Sequence, residues 1–426
     1  MYDWANSAYA TTVVGGLLPA YFARVVVGPE GVVIGGTNYS AFTLWGFLIG
    51  LSAVITLLVA PILGATADFS AAKKRFLLVS AYLGALFAIL LYFSGSGDVY
   101  RTMLFFLLAQ IGFSAANVFY DAFLPQIASE GKMDWVSGKG YSYGYVGGGL
   151  QFALALALVA GHEKLGIGQA HAVRIGIVTA GLWWAGFALF TAKYLKEPRS
   201  EQVLPEQYRK MFPPLAYMLV GITRTWRTTM RVGRFRHLAL FLIAFMLYND
   251  GIQTVIDMAS IYGAEELKLS TTALMLTLLM VQLVATGGAL LFGRIAEHMG
   301  TKRTIMLSLV LWSGVVIYAY FIHSATEYFI LGAIVGIVLG GSQALSRSFY
   351  GFMIPENASA EFYGFYTVFS KFSAIWGPFT LAFVRHALGS ARLAIASLIF
   401  FFIAGLVLLY FVDERKAREA RLAGAF

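Results

Sequence analysis

Stretches of about twenty predominantly apolar residues recur along this chain from its first turn to its last, and no other feature narrows its structure as far. In hydrocarbon only helices and closed barrels satisfy every backbone N–H and C=O, so such stretches are either spanning helices or strands of a barrel. Strand-like alternation is absent, which leaves helices. Composition fits that solvent: 59% of the residues are hydrophobic, mean hydropathy is +0.72, and only 12% are Asp, Glu, Lys or Arg, against roughly 25% in soluble domains. The chain has no cysteine, which excludes disulfides, thiolate metal sites and cysteine nucleophiles. Its first apolar run is too long for a cleaved signal and lacks a basic leader, so it reads as a first span.

Windows of spanning length fall at 2–27, 40–66, 75–95, 100–128, 140–161, 171–195, 237–262, 270–296, 304–323, 326–355, 362–388 and 391–412. An even number puts both termini on one side. With that side cytoplasmic, most of the 31 lysines and arginines lie in inner loops and the tail, as the positive-inside rule requires. Cytoplasmic loops facing anionic headgroups then account for the net charge of +9 without nucleic acid. The long hydrophilic break predicts a six-helix bundle at 1–195, a cytoplasmic linker at 196–236, a second bundle at 237–413 and a basic tail at 414–426. Within the linker, Leu215, Leu219, Ile222, Trp226 and Met230 recur at helical spacing beside an arginine stripe of Arg224, Arg227, Arg231 and Arg234. That pattern predicts an amphipathic helix on the membrane surface, tying the two bundles together. The alternative is a solvated basic linker, with Pro205, Pro213 and Pro214 breaking its approach.

The chain also repeats itself. GATADFSAAKKR (64–75) ends the second window and GRIAEHMGTKR (293–303) ends the eighth, with Gly64 and Gly293, and Asp68 and Glu297, each 229 residues apart. FYDAFLP (119–125) is answered by FYGFMIP (349–355) in nearly the same register. A six-helix unit repeated in parallel resembles the major facilitator superfamily. The Gly-x-x-x-acid pattern followed by basic residues is similar to that superfamily's loop motif, with Phe69 and His298 where it has Arg, and Ala71 where it has Gly; the second copy keeps Gly300. An acid there can meet the positive N-terminus of a helix from the other half and latch the inner gate. The predicted gate residues are Gly64, Asp68 and Lys73, with Gly293, Glu297 and Lys302. Topogenic basic loops are the plainer alternative.

Within that superfamily, YDWANSAY (2–9), NVFYDAFLP (117–125), SGKGYSYGYVGGG (137–149), GGSQALSRSFYGFMIP (340–355), EFYGFY (361–366) and KFSAIWGP (371–378) resemble the vacuolar amino-acid effluxer-like family, in a lean, prokaryotic form. The resemblance implies an all-α polytopic membrane protein of twelve helices in two six-helix pseudo-repeats, with cytoplasmic termini. It implies a secondary active transporter for amino acids or similar zwitterions, with no enzymatic activity and no cofactor. Its expected partners are a small-molecule solute, protons and the lipid bilayer, with no nucleic acid. It is expected as a monomer, multi-pass in the inner cell membrane.

Ionisable groups inside spans are costly and mark function. Gln110, Ser114, Asn117 and Asp121 share one face of span four, with Tyr120 beside them; Asp250, Gln253, Thr254 and Asp257 share one face of span seven. Gln343 and Arg347 lie one turn apart in span ten, Asp3, Asn6 and Ser7 open span one, and Lys371 lies in span eleven. In the superfamily, spans one, four, seven and ten line the central cavity. The predicted solute and proton site is therefore Asp3, Asn6, Asn117, Tyr120, Asp121, Asp250, Gln253, Asp257, Gln343, Arg347 and Lys371. Arg347 is expected to meet the solute's carboxylate, with Asn6 and Asp3 facing Asn117 and Asp121. Four aspartates oppose two cations, so one carboxylate is a candidate proton carrier. The plainer readings are a structural ion network around Arg347 and Lys371, interhelical hydrogen bonds for the amides, and close packing for Gly140, Gly144, Gly148 and Gly332, Gly336, Gly340. An exporter of amphipathic compounds or lipids is the rival transporter. An intramembrane aspartyl protease, suggested by GSGD (95–98), needs two carboxylates sharing a proton, and Asp98 lies in an outer loop far from Asp121 and Asp3. No Walker-type GxxxxGK[ST] is present to drive an ATP pump.

The topology has a direct check in this cysteine-free chain. Asn38→Cys and Lys164→Cys should react with an impermeant maleimide on intact cells, while Lys132→Cys should react only after the cells are opened. The reverse pattern would invert the topology.

Overall fold

The computed structural model describes residues 1–197, 208–209, 211–231, 235–373 and 375–422. Among them, twelve helices are long and apolar enough to cross a bilayer, numbered here as spans one to twelve: Tyr2–Val27, Thr43–Ser70, Lys73–Phe93, Val99–Ile127, Met133–Ala160, Gln169–Tyr194, Arg236–Ala264, Ala273–Met299, Thr301–Phe321, Ala325–Met353, Glu356–Leu388 and Ala391–Tyr410. Each covers a predicted window. Span five departs furthest, starting at Met133 where hydropathy marks residue 140. Its polar first turns, with Asp134 and Ser137 buried, are covered by protein and so need not be apolar.

The loop after span one carries a short hairpin outside the spans. Val32–Ile34 pairs antiparallel with Thr37–Tyr39, and Gly35 and Gly36 supply the two positive φ angles (59° and 83°) of the tight turn between them. Span one itself alternates α and π turns, with π geometry at Tyr9–Leu17 and Phe22–Val27. Linker helix Pro213–Arg231 forms where the stripe predicts it; Arg234 lies outside the described residues, and the side chains of Met230 and Arg231 are not described.

Glycine contacts fix several helix pairs. Gly336 and Gly340 of span ten lie against the backbone of span eight, where a Cβ at Gly340 would overlap the Ala285 carbonyl. In span five, a Cβ at Gly144 would sit 2.8 Å from Ser7 Oγ, and one at Gly148 would sit 2.7 Å from Thr11 Oγ1, so span one approaches closely there. The chain forms two compact units. The first comprises Met1–Ala60, Ala71–Tyr120 and Tyr143–Arg199; the second comprises Pro61–Ser70, Asp121–Ser142 and Ser200–Phe426. The second unit therefore includes one end of each of spans two, four and five.

The turns that follow spans two and eight use the same backbone device. Gly300 has φ +84°, and Ala71, the residue in its place in the first copy, has φ +51°. A residue with a Cβ pays about 1–2 kcal/mol for that conformation. Ala71→Gly should accordingly raise the melting temperature of the purified protein by relieving up to about 1 kcal/mol. Gly340→Val should lower it, through an overpacking cost of about 1–3 kcal/mol, whereas Gly287→Ala, with nothing within 4 Å of the added Cβ, should leave it unchanged. Thermal unfolding in one detergent compares all three.

Candidate functional site

The second unit carries a dense polar network at the basic end of its spans. Asp68, at the end of span two, accepts the Glu361 N–H at 2.8 Å. Glu361 is the third residue of helix Ser359–Phe372, so the acid meets a helix N-terminus, as the loop motif led us to expect. Gly64, one turn earlier, lets the backbones touch: a Cβ there would overlap the Ala360 carbonyl. Glu361 is buried and paired with Arg224 of the linker helix at 3.4 Å, and the same guanidinium lies 6.0 Å above the Phe69 ring.

The second copy is built differently. Spans five and eight approach where a Cβ on Gly138 would sit 2.8 Å from the Ala289 carbonyl, and Gly293 lies beside the Asp134 carbonyl. Buried Asp134 accepts the Thr301 hydroxyl at 2.6 Å and the Ser348 hydroxyl. Glu297 is exposed and, among the described residues, bonded to none. Asp134 already places a negative charge in the first turn of span five, so Glu297 would meet like charge there. Asp134 and Ser137 are missed by a sequence reading that takes MDWVSGK for loop; the sign available was an acid and a serine three residues apart, on one helical face. Lys73 is buried at the start of span three. The Lys74 N–H beside it donates to Glu197 at 2.7 Å, and burial raises the Glu197 carboxyl despite that bond. Lys302 donates to the Tyr410 and Val412 carbonyls at 2.9 and 2.6 Å, covering the C-terminal end of span twelve.

Arg347 is 3% exposed and fully engaged. Its Nη1 meets Asp121 at 3.1 Å, Nε donates to Ser137 Oγ at 3.0 Å, Nη2 donates to the Ser137 carbonyl at 3.0 Å, and the Tyr141 ring lies 4.4 Å from the guanidinium. The pairing with Asp121 is one that the sequence suggested; no edge of the guanidinium faces an open site in this conformation. Gln343 lies one turn away on the same helix.

Span eleven is broken, which hydropathy did not reveal. Helix Ser359–Phe372 stops, and a second helix, Trp376–Leu388, begins after Ser373 and Ile375. Pro378 has no N–H and cannot continue the ladder from the first helix. Asp250 of span seven accepts the Trp376 N–H at 3.0 Å and the Gly377 N–H at 2.7 Å, capping the second helix, while Asn249 donates to Ser373 Oγ. Gly377 permits this approach, since a Cβ there would overlap Thr254 Oγ1. Lys371 lies in the last turn before the break, and Gln253 and Asp257 lie further along span seven. Among the described residues, none of these three side chains has a hydrogen-bond or ion-pair partner.

In the first unit, the opening motif forms a ladder between spans one and four. Tyr120 donates its hydroxyl to Asp3 at 2.6 Å, Asn6 donates to Asn117 at 2.6 Å, and Tyr9 donates to Gln110 at 3.3 Å. Trp4 stacks on Trp183 at 5.7 Å. The predicted facing of Asn6 and Asn117 is therefore met. Asp98, in the GSGD loop, is bonded to the Arg101 side chain and to the Gly95 N–H at 2.8 Å, which together hold its carboxyl below the usual range. Among the described residues no second carboxylate bonds to it, and it caps the turn.

A family profile described as "Vacuole effluxer Atg22 like" matches residues 1–134 and 131–422. The MFS-type transporter YxiO of Bacillus subtilis (strain 168) is 32% identical over 421 residues, covering 98% of this chain and 95% of the relative. Autophagy-related protein 22 of Coccidioides immitis (strain RS) is 25% identical over 455 residues, 90% of this chain and 74% of the relative. Among solved structures, the proton:xylose symporter XylE superimposes with a TM-score of 0.71 at 14% identity, over 98% of this chain and 95% of that one. The E. coli fucose:proton symporter FucP does so with 0.69 at 14% identity, over 97% and 96%. At such low identity these two show the shared fold, whereas the profile and the bacillary relative span the whole chain: it belongs to the Atg22-like vacuole effluxer family, a branch of the major facilitator transporters.

Proposed function

We propose that this transporter is a proton-coupled secondary carrier of an amino acid or a similar small zwitterion in the cell membrane. One observation carries the reading. Arg347, Asp121, Asp134, Asp250 and Glu361 are all committed to protein partners, while Lys371 of span eleven and Asp257 of span seven, of opposite sign, have none among the described residues. A solute bearing both a carboxylate and an ammonium supplies the missing partner to each. Lys371 takes the solute's carboxylate in this reading, and Arg347, whose donors are occupied, belongs to the gate. Asp257 is the proton carrier, since it is a carboxylate with no cation to hold it ionised. Gln253 and Gln343, of the same unit, supply polar contacts. Gly64, Asp68, Lys73, Gly293, Glu297 and Lys302 belong to the end that must open and close. The name of the family, and the amino-acid class that the sequence resemblance implies, agree with this reading.

A thermal-shift panel of amino acids, peptides, sugars and lysolipids on purified protein identifies the solute, and counterflow in liposomes tests it. Lys371→Gln should weaken solute binding by about 10- to 100-fold, the loss of one charge-assisted hydrogen bond of roughly 1.5–3 kcal/mol. Asp257→Asn should weaken solute binding and abolish the pH dependence of uptake, because in this reading the same carboxylate holds either the solute's ammonium or the proton. Unchanged affinity in the first variant and unchanged pH dependence in the second would remove both residues from the site, and stabilisation by lysolipids alone would favour the lipid exporter.

The gate has its own test. Ser359 is fully buried, and its hydroxyl donates to the Ala122 carbonyl at 2.8 Å. Asp68→Asn should raise the alkylation rate of Ser359→Cys, because the charge interaction with the helix end is worth about 0.3–2 kcal/mol. An unchanged rate would show that Asp68 does not hold the gate.

A further inference from the structure

Linker helix Pro213–Arg231 has two working faces. Ala216, Val220 and Gly221 are buried, and a Cβ on Gly221 would overlap Thr66 Oγ1 and sit 2.9 Å from the Ile62 carbonyl of span two. On the same side Arg224 pairs with Glu361, Thr228 bonds to that carboxylate, and Tyr217 lies 6.1 Å from Phe69. Phe69 stands where the loop motif has an arginine, so the linker helix supplies the guanidinium that the loop lacks. Leu215, Met218, Ile222 and Trp226 fall diametrically opposite, at about 100° per residue, and all four are exposed, Trp226 to 68%.

Two facts identify what covers that stripe. The first is depth. Counting about 1.5 Å per residue from Thr43, Ile62 and Thr66 lie about 29 and 35 Å along span two, at the far edge of a hydrocarbon core about 30 Å thick. The helix packed on them lies at the headgroup boundary. The second is charge: the helix contains Arg224, Arg227 and Arg231 and no acidic residue. An exposed apolar stripe with a tryptophan, on a helix whose charged residues are all arginines on its other side, suits an anionic lipid surface.

We propose that the linker helix is a lipid-held latch: anionic headgroups and acyl chains seat its outer stripe, and its inner face then holds Arg224 on the Glu361 and Asp68 corner, keeping the gate shut. Lipid charge thereby sets how often the basic end opens, whatever the solute.

The test uses full-length protein in vesicles of phosphatidylcholine, with or without phosphatidylglycerol. A fluorophore on Trp226→Cys should be quenched by spin-labelled lipid. Ser359→Cys should react with a permeant maleimide about fivefold more slowly in the anionic vesicles, the factor expected of one interfacial arginine. Arg227→Gln, a surface change, should shrink that difference; paired Met218→Glu and Ile222→Glu should abolish it; Arg224→Gln should speed alkylation in both lipids. Equal rates in the two lipids, or an unquenched label at position 226, would overturn the proposal. A label shielded by a second copy, seen as concentration-dependent energy transfer, would overturn it in favour of a dimer contact.

Discussion

A charge inside hydrocarbon is tolerated only where protein or water answers it, and that constraint sorts the ionisable residues of this chain. Most are answered by protein. Arg347 is surrounded by Asp121, both polar groups of Ser137 and the Tyr141 ring; Asp134 by two hydroxyls; Asp250 by two backbone N–H groups. Such groups hold helices in place, and removing one partner strands the other at a cost of several kcal/mol. Lys371 and Asp257 stand apart from this pattern. Residue type alone did not separate the two classes, because an aspartate that caps a helix and an aspartate with no partner among the described residues look the same in a sequence.

The internal duplication did not produce symmetric contacts at the basic end of the spans. Both copies bring a glycine of one span under the backbone of another, at Gly64 against Ala360 and at Gly138 against Ala289. Only the first copy has the acid on the helix end. There, Asp68 accepts the backbone N–H of a second acid, Glu361, and the repulsion between the two carboxylates is offset by Arg224. In the second, Asp134 performs the holding from inside span five and leaves Glu297 at the surface. The pairing of span two with span eleven is thus answered by that of span eight with span five, while the glycine that makes the close contact and the charge chemistry around it differ.

The twelve spans, the repeat register, the meeting of Asp68 with a helix N-terminus and the facing of Asn6 with Asn117 were legible because each rests on local pattern: apolar length, a spacing of 229 residues, or helical periodicity. What was illegible depends on tertiary cover. Met133 to Lys139 reads as loop since its polar groups are satisfied only by Thr301, Ser348 and Arg347, far away in sequence. The break in span eleven is hidden because Ala374, Ile375 and Trp376 are as apolar as any spanning residue; Pro378 and Gly377 hint at it, and the cap from Asp250 completes it. The pairing of Arg224 with Glu361 joins a linker to a span, and no window scan connects the two.

That break gives the proposed carrier a short route from solute to gate. Helix Ser359–Phe372 holds Glu361 near one end and Lys371 near the other, about 15 Å apart at helical rise. Asn249 and Asp250 tie the break itself to span seven, so in the proposed carrier the break is the pivot about which this helix would tilt. A negative group drawn to Lys371 then acts on the same rigid body that Asp68 and Arg224 hold. Coupling needs no chain of intermediaries: one helix, hinged at Ser373 and clasped at Glu361, is biased from both ends.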